Sequence, residues 1–268
     1  MSNKFFQRKV KIEGTLAFET AFHIGSGREG ELATDMGVLI DRNRHPILPG
    51  STLKGNFRTM AERLAGYLGL TACLLDSQLS GTDCVSVESY RKQVIENYKI
   101  IKSEPDKLDW LQKHTCTVCQ LFGSPLQASR IFFSDGQLLS WDGTLQVRDG
   151  VCIDRDSETA RHGAKYDFEV VPAGAAFDIS IELENPEDRE LALVGAALAE
   201  WENGFRLGGF TSRGLGKVRL QNRRITEVDY TNTEQLRNYL LHRQMTEVDN
   251  LLTDCLQRIL NQSGGPHA

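Results

Sequence analysis

Apolar residues alternate with polar ones at Val10, Ile12, Leu16 and Phe18, the period of a strand that buries one face. That run ends at Phe22-His23-Ile24-Gly25-Ser26-Gly27, a glycine-rich turn, and the polar, aperiodic segment from Arg28 to Asp35 predicts a mobile loop. Val38-Leu39-Ile40 and Ile47-Leu48, joined by Asp41-Arg42-Asn43-Arg44, predict a short hairpin. The period then becomes helical: Leu53, Phe57, Met60, Ala61 and Leu64 share one face, with Ser51 as the expected N-cap. Residues from about 67 to 125 carry helical stretches without a repeat and read as an insertion. Ile131-Phe132-Phe133 predicts a short buried strand, and Val147 to Val171 is extended with a polar middle. Phe177, Ile179, Ile181 and Leu183 alternate as a strand, and Leu191 to Trp201 is helical. A glycine-rich loop spans Gly204 to Gly216, followed by a strand from Lys217 to Leu220. Val248, Leu251, Leu252, Cys255 and Ile259 predict a terminal docking helix that stops at Ser263-Gly264-Gly265-Pro266.

Strand, helix, strands, strand, helix, strand is the split βαβ order, which predicts an α+β fold of modified ferredoxin-like, RRM-like type. No aromatic stacking pair marks the central strands, so any RNA contact should come from loops and insertions. At 268 residues, 40% hydrophobic and 25% charged, the chain has material for a genuine core and reads as one domain over residues 1–268. No apolar run reaches the roughly 18 residues of a membrane span, and the charged start lacks the core of a signal peptide, so a cytoplasmic protein is expected. A net charge of -5 excludes a general nucleic-acid coat, because phosphate binding would need a local basic stripe on an acidic body.

The helix that opens at Pro49 carries the first such basic pair. Lys54 and Arg58 lie four apart on one face, and free N–H groups with the helix dipole favour an anion at its start. A second chemistry sits in the insertion. Cys116-Thr117-Val118-Cys119 has the spacing of two thiolates on one tetrahedral zinc, and Cys73 and Cys84 complete the favoured set, with His114 as the substitute. A segment with little apolar periodicity needs such a staple, so a structural, closed Zn²⁺ site is expected. Cys152 and Cys255 read as ordinary residues.

Several separate motifs, in order, resemble the RAMP superfamily. They are Pro49 to Arg58; Cys119-Gln120-Leu121-Phe122-Gly123-Ser124-Pro125; Ala128-Ser129-Arg130; Arg148 to Arg155 with Lys165 to Pro172; and Gly208-Gly209-Phe210-Thr211-Ser212-Arg213-Gly214-Leu215-Gly216-Lys217. More narrowly the chain is similar to the repeating backbone subunit of type III CRISPR effector complexes. The resemblance implies a subunit stacked along a guide RNA beside other RAMP-type subunits and a large subunit, with complementary target RNA as the second nucleic-acid partner and no membrane. Ser51, Lys54, Arg58, Arg130, Arg148, Arg155, Arg213 and Lys217 would contact RNA, and the hairpin at about 146–172 would act as a thumb that interrupts the guide–target duplex.

The resemblance also implies a catalytic residue. Asp35 occupies the place of a loop aspartate that cleaving relatives need for metal-dependent cutting, here with Mg²⁺ or Mn²⁺; Asp41 is the nearest competitor. Two functions follow: a guide-binding subunit that cuts target RNA, or the same scaffold without cutting. A free-standing zinc hydrolase fits poorly, because no His/Glu set with an open metal position is present.

Overall fold

The computed structural model describes residues 6–27, 34–73 and 83–262. Residues 28–33 of the expected mobile loop, 74–82 of the insertion, the Cys152 side chain and the helix stop at 263–266 lie outside the described residues. In chain order the elements are β1 (Arg8–Phe18), α1 (Gly50–Ala65) followed by a 3-10 turn, α2 (Glu88–Ile100), α3 (Glu104–Lys113), α4 (Thr117–Phe122), β2 (Ile131–Phe133), β3 (Gln137–Ser140), β4 (Gln146–Ile153), β5 (Ala160–Val170) and β6 (Ala176–Glu184). They continue with α5 (Asp188–Asn203), β7 (Phe205–Arg206), a 3-10 turn at Thr211–Arg213, β8 (Lys217–Asp229), α6 (Thr233–His242), β9 (Thr246–Glu247) and α7 (Leu251–Gln262).

The main sheet is antiparallel throughout, in the order β2-β6-β1-β8-β7, with β3 also on β6 and β9 on β8. Its four long-range members, β1, β2, β6 and β8, interleave with α1 and α5 as a ferredoxin-like βαββαβ unit. Alternation explains the layering. Val10, Ile12, Leu16 and Phe18 of β1 and Phe177, Ile179, Ile181 and Leu183 of β6 point into the core, where Leu53, Phe57 and Ala61 of α1 and Leu191, Val194, Leu198 and Trp201 of α5 meet them. Phe57 stands edge-on to Trp201 at 4.9 Å, and truncating a buried aromatic of this kind costs about 3–5 kcal/mol. The opposite sheet face is polar and ion-paired, with Lys9 on Glu182 and Lys11 on Glu13, so it offers no stacking platform for bases.

Two predicted elements differ in the structure. The hairpin at Val38–Leu48 makes only isolated pairings: Val38 bridges Gly25, Ile40 bridges Pro46, and Leu48 bridges Gly136. Pro46 has no N–H for a ladder, and Leu39 donates instead to Ile24. The strand expected at Lys217–Leu220 runs on to Asp229, because the polar run that broke the apolar period is a bulge opposite Gly14, with Asn222 at φ 53°. A Cβ on Gly14 would stand 2.8 Å from Leu220 Cδ1 and 3.0 Å from the Gln221 carbonyl oxygen, so glycine lets the two strands cross closely there. The helix α6 escapes periodicity analysis because it buries no residue; the Asn232 side chain caps it by accepting from the Glu234 and Gln235 N–H groups.

Candidate nucleic-acid interface and cysteine cluster

The Sγ atoms of Cys73, Cys84, Cys116 and Cys119 all lie within 4.8 Å of one another, and all four residues are buried. Cys116 precedes α4 and Cys119 sits in its first turn, so three residues of helix-start geometry bring both thiols to one point. A tetrahedral site with metal–sulfur bonds of about 2.3 Å has sulfurs roughly 3.8 Å apart, close to the 3.5 Å between Cys73 and Cys119. The Cys116 N–H donates to Cys84 Sγ at 3.4 Å, and Ser86 Oγ donates to Cys119 Sγ at 3.1 Å. The four thiols share hydrogen bonds with one another, which push the Cys84 and Cys119 thiols down and the Cys73 and Cys116 thiols up. The donor set therefore fits a soft, tetrahedral cation. His114 belongs elsewhere: its Nδ1 meets Tyr90 Oη at 2.6 Å and its ring stacks on Trp110.

The helix α1 faces two ways. It begins at Gly50, two residues earlier than expected, with Pro49 as N-cap, so Ser51 lies exposed in the first turn and caps nothing. A Cβ on Gly50 would stand 2.5 Å from the Phe133 carbonyl oxygen, and the Gly50 N–H donates to Asp135 Oδ1 at 2.7 Å. The anion at this helix start is thus an aspartate of the chain itself. Lys54 donates to Ser129 Oγ at 2.8 Å, and burial, then the Arg58 charge, pushes its ammonium down. Arg58 pairs with Glu62 at 2.8 Å and donates to Cys119 Sγ at 3.2 Å. Both basic residues therefore turn toward β2 and the cysteine cluster.

The other flank of α1 forms a groove. Thr52, Gly55, Asn56 and Thr59 face Arg206 to Gly209 and Thr211 of the glycine-rich loop across about 550 Å³, with His23 also in the lining. Asn56 bridges the walls, accepting from Trp201 Nε1 at 3.1 Å and donating to the Arg206 carbonyl at 3.0 Å. Gly208, at φ 93°, passes so close to His23 that a Cβ would stand 2.4 Å from its carbonyl oxygen. His23 is buried, and its Nδ1–H donates to the Glu169 carbonyl at 2.7 Å. Sequence reading missed this groove's Arg206, Asn56 and His23, although His23 adjoins the glycine turn and Arg206 opens the glycine run.

The remaining basic residues divide by burial. Arg130 is paired with the fully buried Glu190 and also donates to the Asn185 carbonyl, so it holds β2 to the start of α5. Burial raises the Glu190 carboxyl and Arg130 opposes that rise. Lys217 pairs with Glu19 at 2.7 Å. Arg213 is exposed, lies over the Phe210 ring at 5.6 Å and bonds Tyr166 Oη. Arg148 and Arg155 are exposed on the β4–β5 hairpin. Along β4, Val147, Val151 and Ile153 are also exposed.

Asp35 is exposed and tied to the base of that hairpin by two hydrogen bonds with Asp167. Asp41 is taken up in its own turn, accepting from the Asn43 and His45 N–H groups at 2.8 Å each. A small apolar cluster of Ala21, Phe168, Val170 and Leu215, with Met36, Tyr166 and Phe210 against it, joins the Asp35 segment, the hairpin and the glycine-rich loop. Phe168 stacks on Phe210 at 4.3 Å, which packs the hairpin against the glycine-rich loop.

Comparison with known proteins agrees with this layout. Residues 15–219 match the family model described as the RAMP superfamily. The chain is 26% identical over 238 residues to the protein of Methanocaldococcus jannaschii named CRISPR system Cms endoribonuclease Csm3, covering 82% of each. It is 25% identical over 229 residues to the protein of that name from Enterococcus italicus, covering 79% of this chain and 89% of that one. A third of the same name, from Streptococcus thermophilus, is 25% identical over 243 residues, covering 82% and 90%.

Proposed function

This chain belongs to the RAMP superfamily, and we propose that it is a guide-RNA-binding backbone subunit of a type III CRISPR effector complex that cuts complementary target RNA. The observation that carries this reading is the convergence of the glycine-rich loop, the exposed hairpin and the Asp35 segment on one apolar cluster. In this reading the guide backbone lies in the groove between α1 and the glycine-rich loop. Gly55 and Gly209 let phosphates approach the main chain, and Arg206 and Arg213 supply local positive charge on a body of net charge -5. Arg148 and Arg155 carry the hairpin against the target strand, and Val147, Val151 and Ile153 wedge between bases. Lys54, Arg58 and Arg130 brace the walls from behind.

Asp35 is the cutting residue. Its Oδ2 accepts from the Asp167 N–H, and its Oδ1 has no hydrogen-bond partner among the described residues, which fits a hydrated divalent cation. Mg²⁺ or Mn²⁺ held there would supply charge neutralisation at the scissile phosphate. The chain's own part is to fix the carboxylate beside the point where the hairpin interrupts the duplex, so that each subunit acts at one position along the target. The four thiols would hold Zn²⁺ as a closed, structural ion. No described helix is long and apolar enough to cross a membrane, and partner subunits of the same family in a cytoplasmic particle complete the reading.

The nucleic acid that copurifies with the protein tests the reading. RNA of uniform length, bound by several copies of the chain in succession, is expected. Protein free of nucleic acid that does not bind RNA in vitro would refute it.

A further inference from the structure

Two backbone N–H groups and two carboxylates, 132 positions apart, form a reciprocal clasp. The Asp35 N–H donates to Asp167 Oδ1 at 2.8 Å, and the Asp167 N–H donates to Asp35 Oδ2 at 3.1 Å. Beyond it the two segments zip together in parallel. Met36 pairs with Phe168, the Glu169 N–H donates to the Met36 carbonyl at 3.0 Å, and the Val38 N–H donates to Glu169 Oε2 at 3.1 Å. Glu169 is 1% exposed, so the far end of this zipper is anchored in the protein while its Asp35 end is at the surface.

The register of the hairpin makes Asp167 unusual. It stands directly opposite Asp149, and like charges facing each other across strands destabilise a sheet. Lys165 sits 3.5 Å from Asp149, leaving Asp167 to the Asp35 segment. An aspartate at this position weakens the hairpin, and the clasp is the contact it gains.

We propose that Asp167 is the positioning residue of target cleavage: its carboxylate grips the Asp35 main chain, and its N–H orients Asp35 Oδ2 so that Oδ1 faces outward. This rests on the reading of Asp35 as the cutting residue. The two hydrogen bonds of the clasp, one to the Asp35 main chain and one to its carboxylate, together set where that carboxylate stands, and misplacing a reacting group by about 1 Å can lower a rate by roughly a hundredfold. The clasp also makes the hairpin and the cutting residue one mechanical unit, so the element that parts the duplex carries the carboxylate with it.

The test uses the assembled effector complex with its guide RNA and the variants Asp167→Ala, Asp167→Asn and Asp35→Asn, followed by single-turnover target cleavage and target affinity. Asp167→Ala should slow cleavage roughly ten- to a hundredfold with target affinity unchanged, because binding and positioning are separate. Asp167→Asn should restore the rate to within about threefold, since an amide oxygen still accepts the Asp35 N–H. Asp35→Asn should be inactive. If Asp167→Asn is as slow as Asp167→Ala, charge at 167 is required and the positioning role is overturned in favour of direct cation binding. Wild-type cleavage by Asp167→Ala also overturns it. Full activity in Asp35→Asn would refute the Asp35 reading itself, a different pattern from either.

Discussion

Arg58 donates to the Cys119 thiol at 3.2 Å while its Nε–H holds Glu62 at 2.8 Å, so the helix beside the glycine-rich loop is tied directly to the cysteine cluster. Burial works against the guanidinium charge, yet the Glu62 hydrogen bond and the nearby thiols keep its pKa above the ordinary value. A cation facing the cluster stabilises thiolates there and, with them, a bound metal.

Removing that cation should be felt in folding before it is felt in RNA binding. Arg58→Ala is expected to destabilise the protein by about 1.5–3 kcal/mol, the range for hydrogen bonds to charged groups, and to weaken metal retention against a chelator. The salt dependence of guide binding should stay as it is in the unaltered chain. Chemical denaturation, zinc release and filter binding at several salt concentrations check the three parts, and a flattened salt slope in Arg58→Ala would assign this residue to the RNA instead.

The cluster itself is expected to hold about one tightly bound zinc per chain, because four buried thiols at this spacing match a structural site. Cys116→Ser or Cys119→Ser should increase hydrogen exchange and proteolysis across residues 83–125, most of all in α2, which buries no residue of its own. Metal-free protein of unchanged stability would contradict this.

The groove should govern the electrostatics of guide binding. Arg206→Gln with Arg213→Gln is expected to weaken binding about equally for all guide sequences and to flatten the salt slope by about one to two units, since phosphate contacts position the strand without reading bases. An unchanged slope, measured by titration from low to high salt, would remove the guide from this groove.

Periodicity made β1, β6, α1 and α5 legible, because each buries one face and shows it at a spacing of two or of about 3.6 residues. The cysteine set was legible from spacing within one stretch of chain. The direction of the basic face of α1 was not. Whether Lys54 and Arg58 look to solvent or inward depends on Ser129 and Cys119, 75 and 61 positions away. The anion at the start of α1 escaped for the same reason, since Asp135 arrives from a position 85 residues on. Strand β8 was cut short because its bulge interrupts alternation with polar residues that a paired strand tolerates. Asp167 carries no local signal at all: an aspartate in a polar hairpin gains meaning only when the Asp35 segment folds against it.

Target cleavage by the assembled complex with Asp35→Ala tests the central claim most directly. Guide RNA, target RNA and Mg²⁺ or Mn²⁺ are supplied, and cleavage products and target affinity are measured on the same preparation. Loss of cutting at every site with target affinity nearly intact is expected, because the exposed carboxylate that is removed is not among the residues lining the groove. Target RNA still cut at every site would contradict the account and show that Asp35 is not the cutting residue.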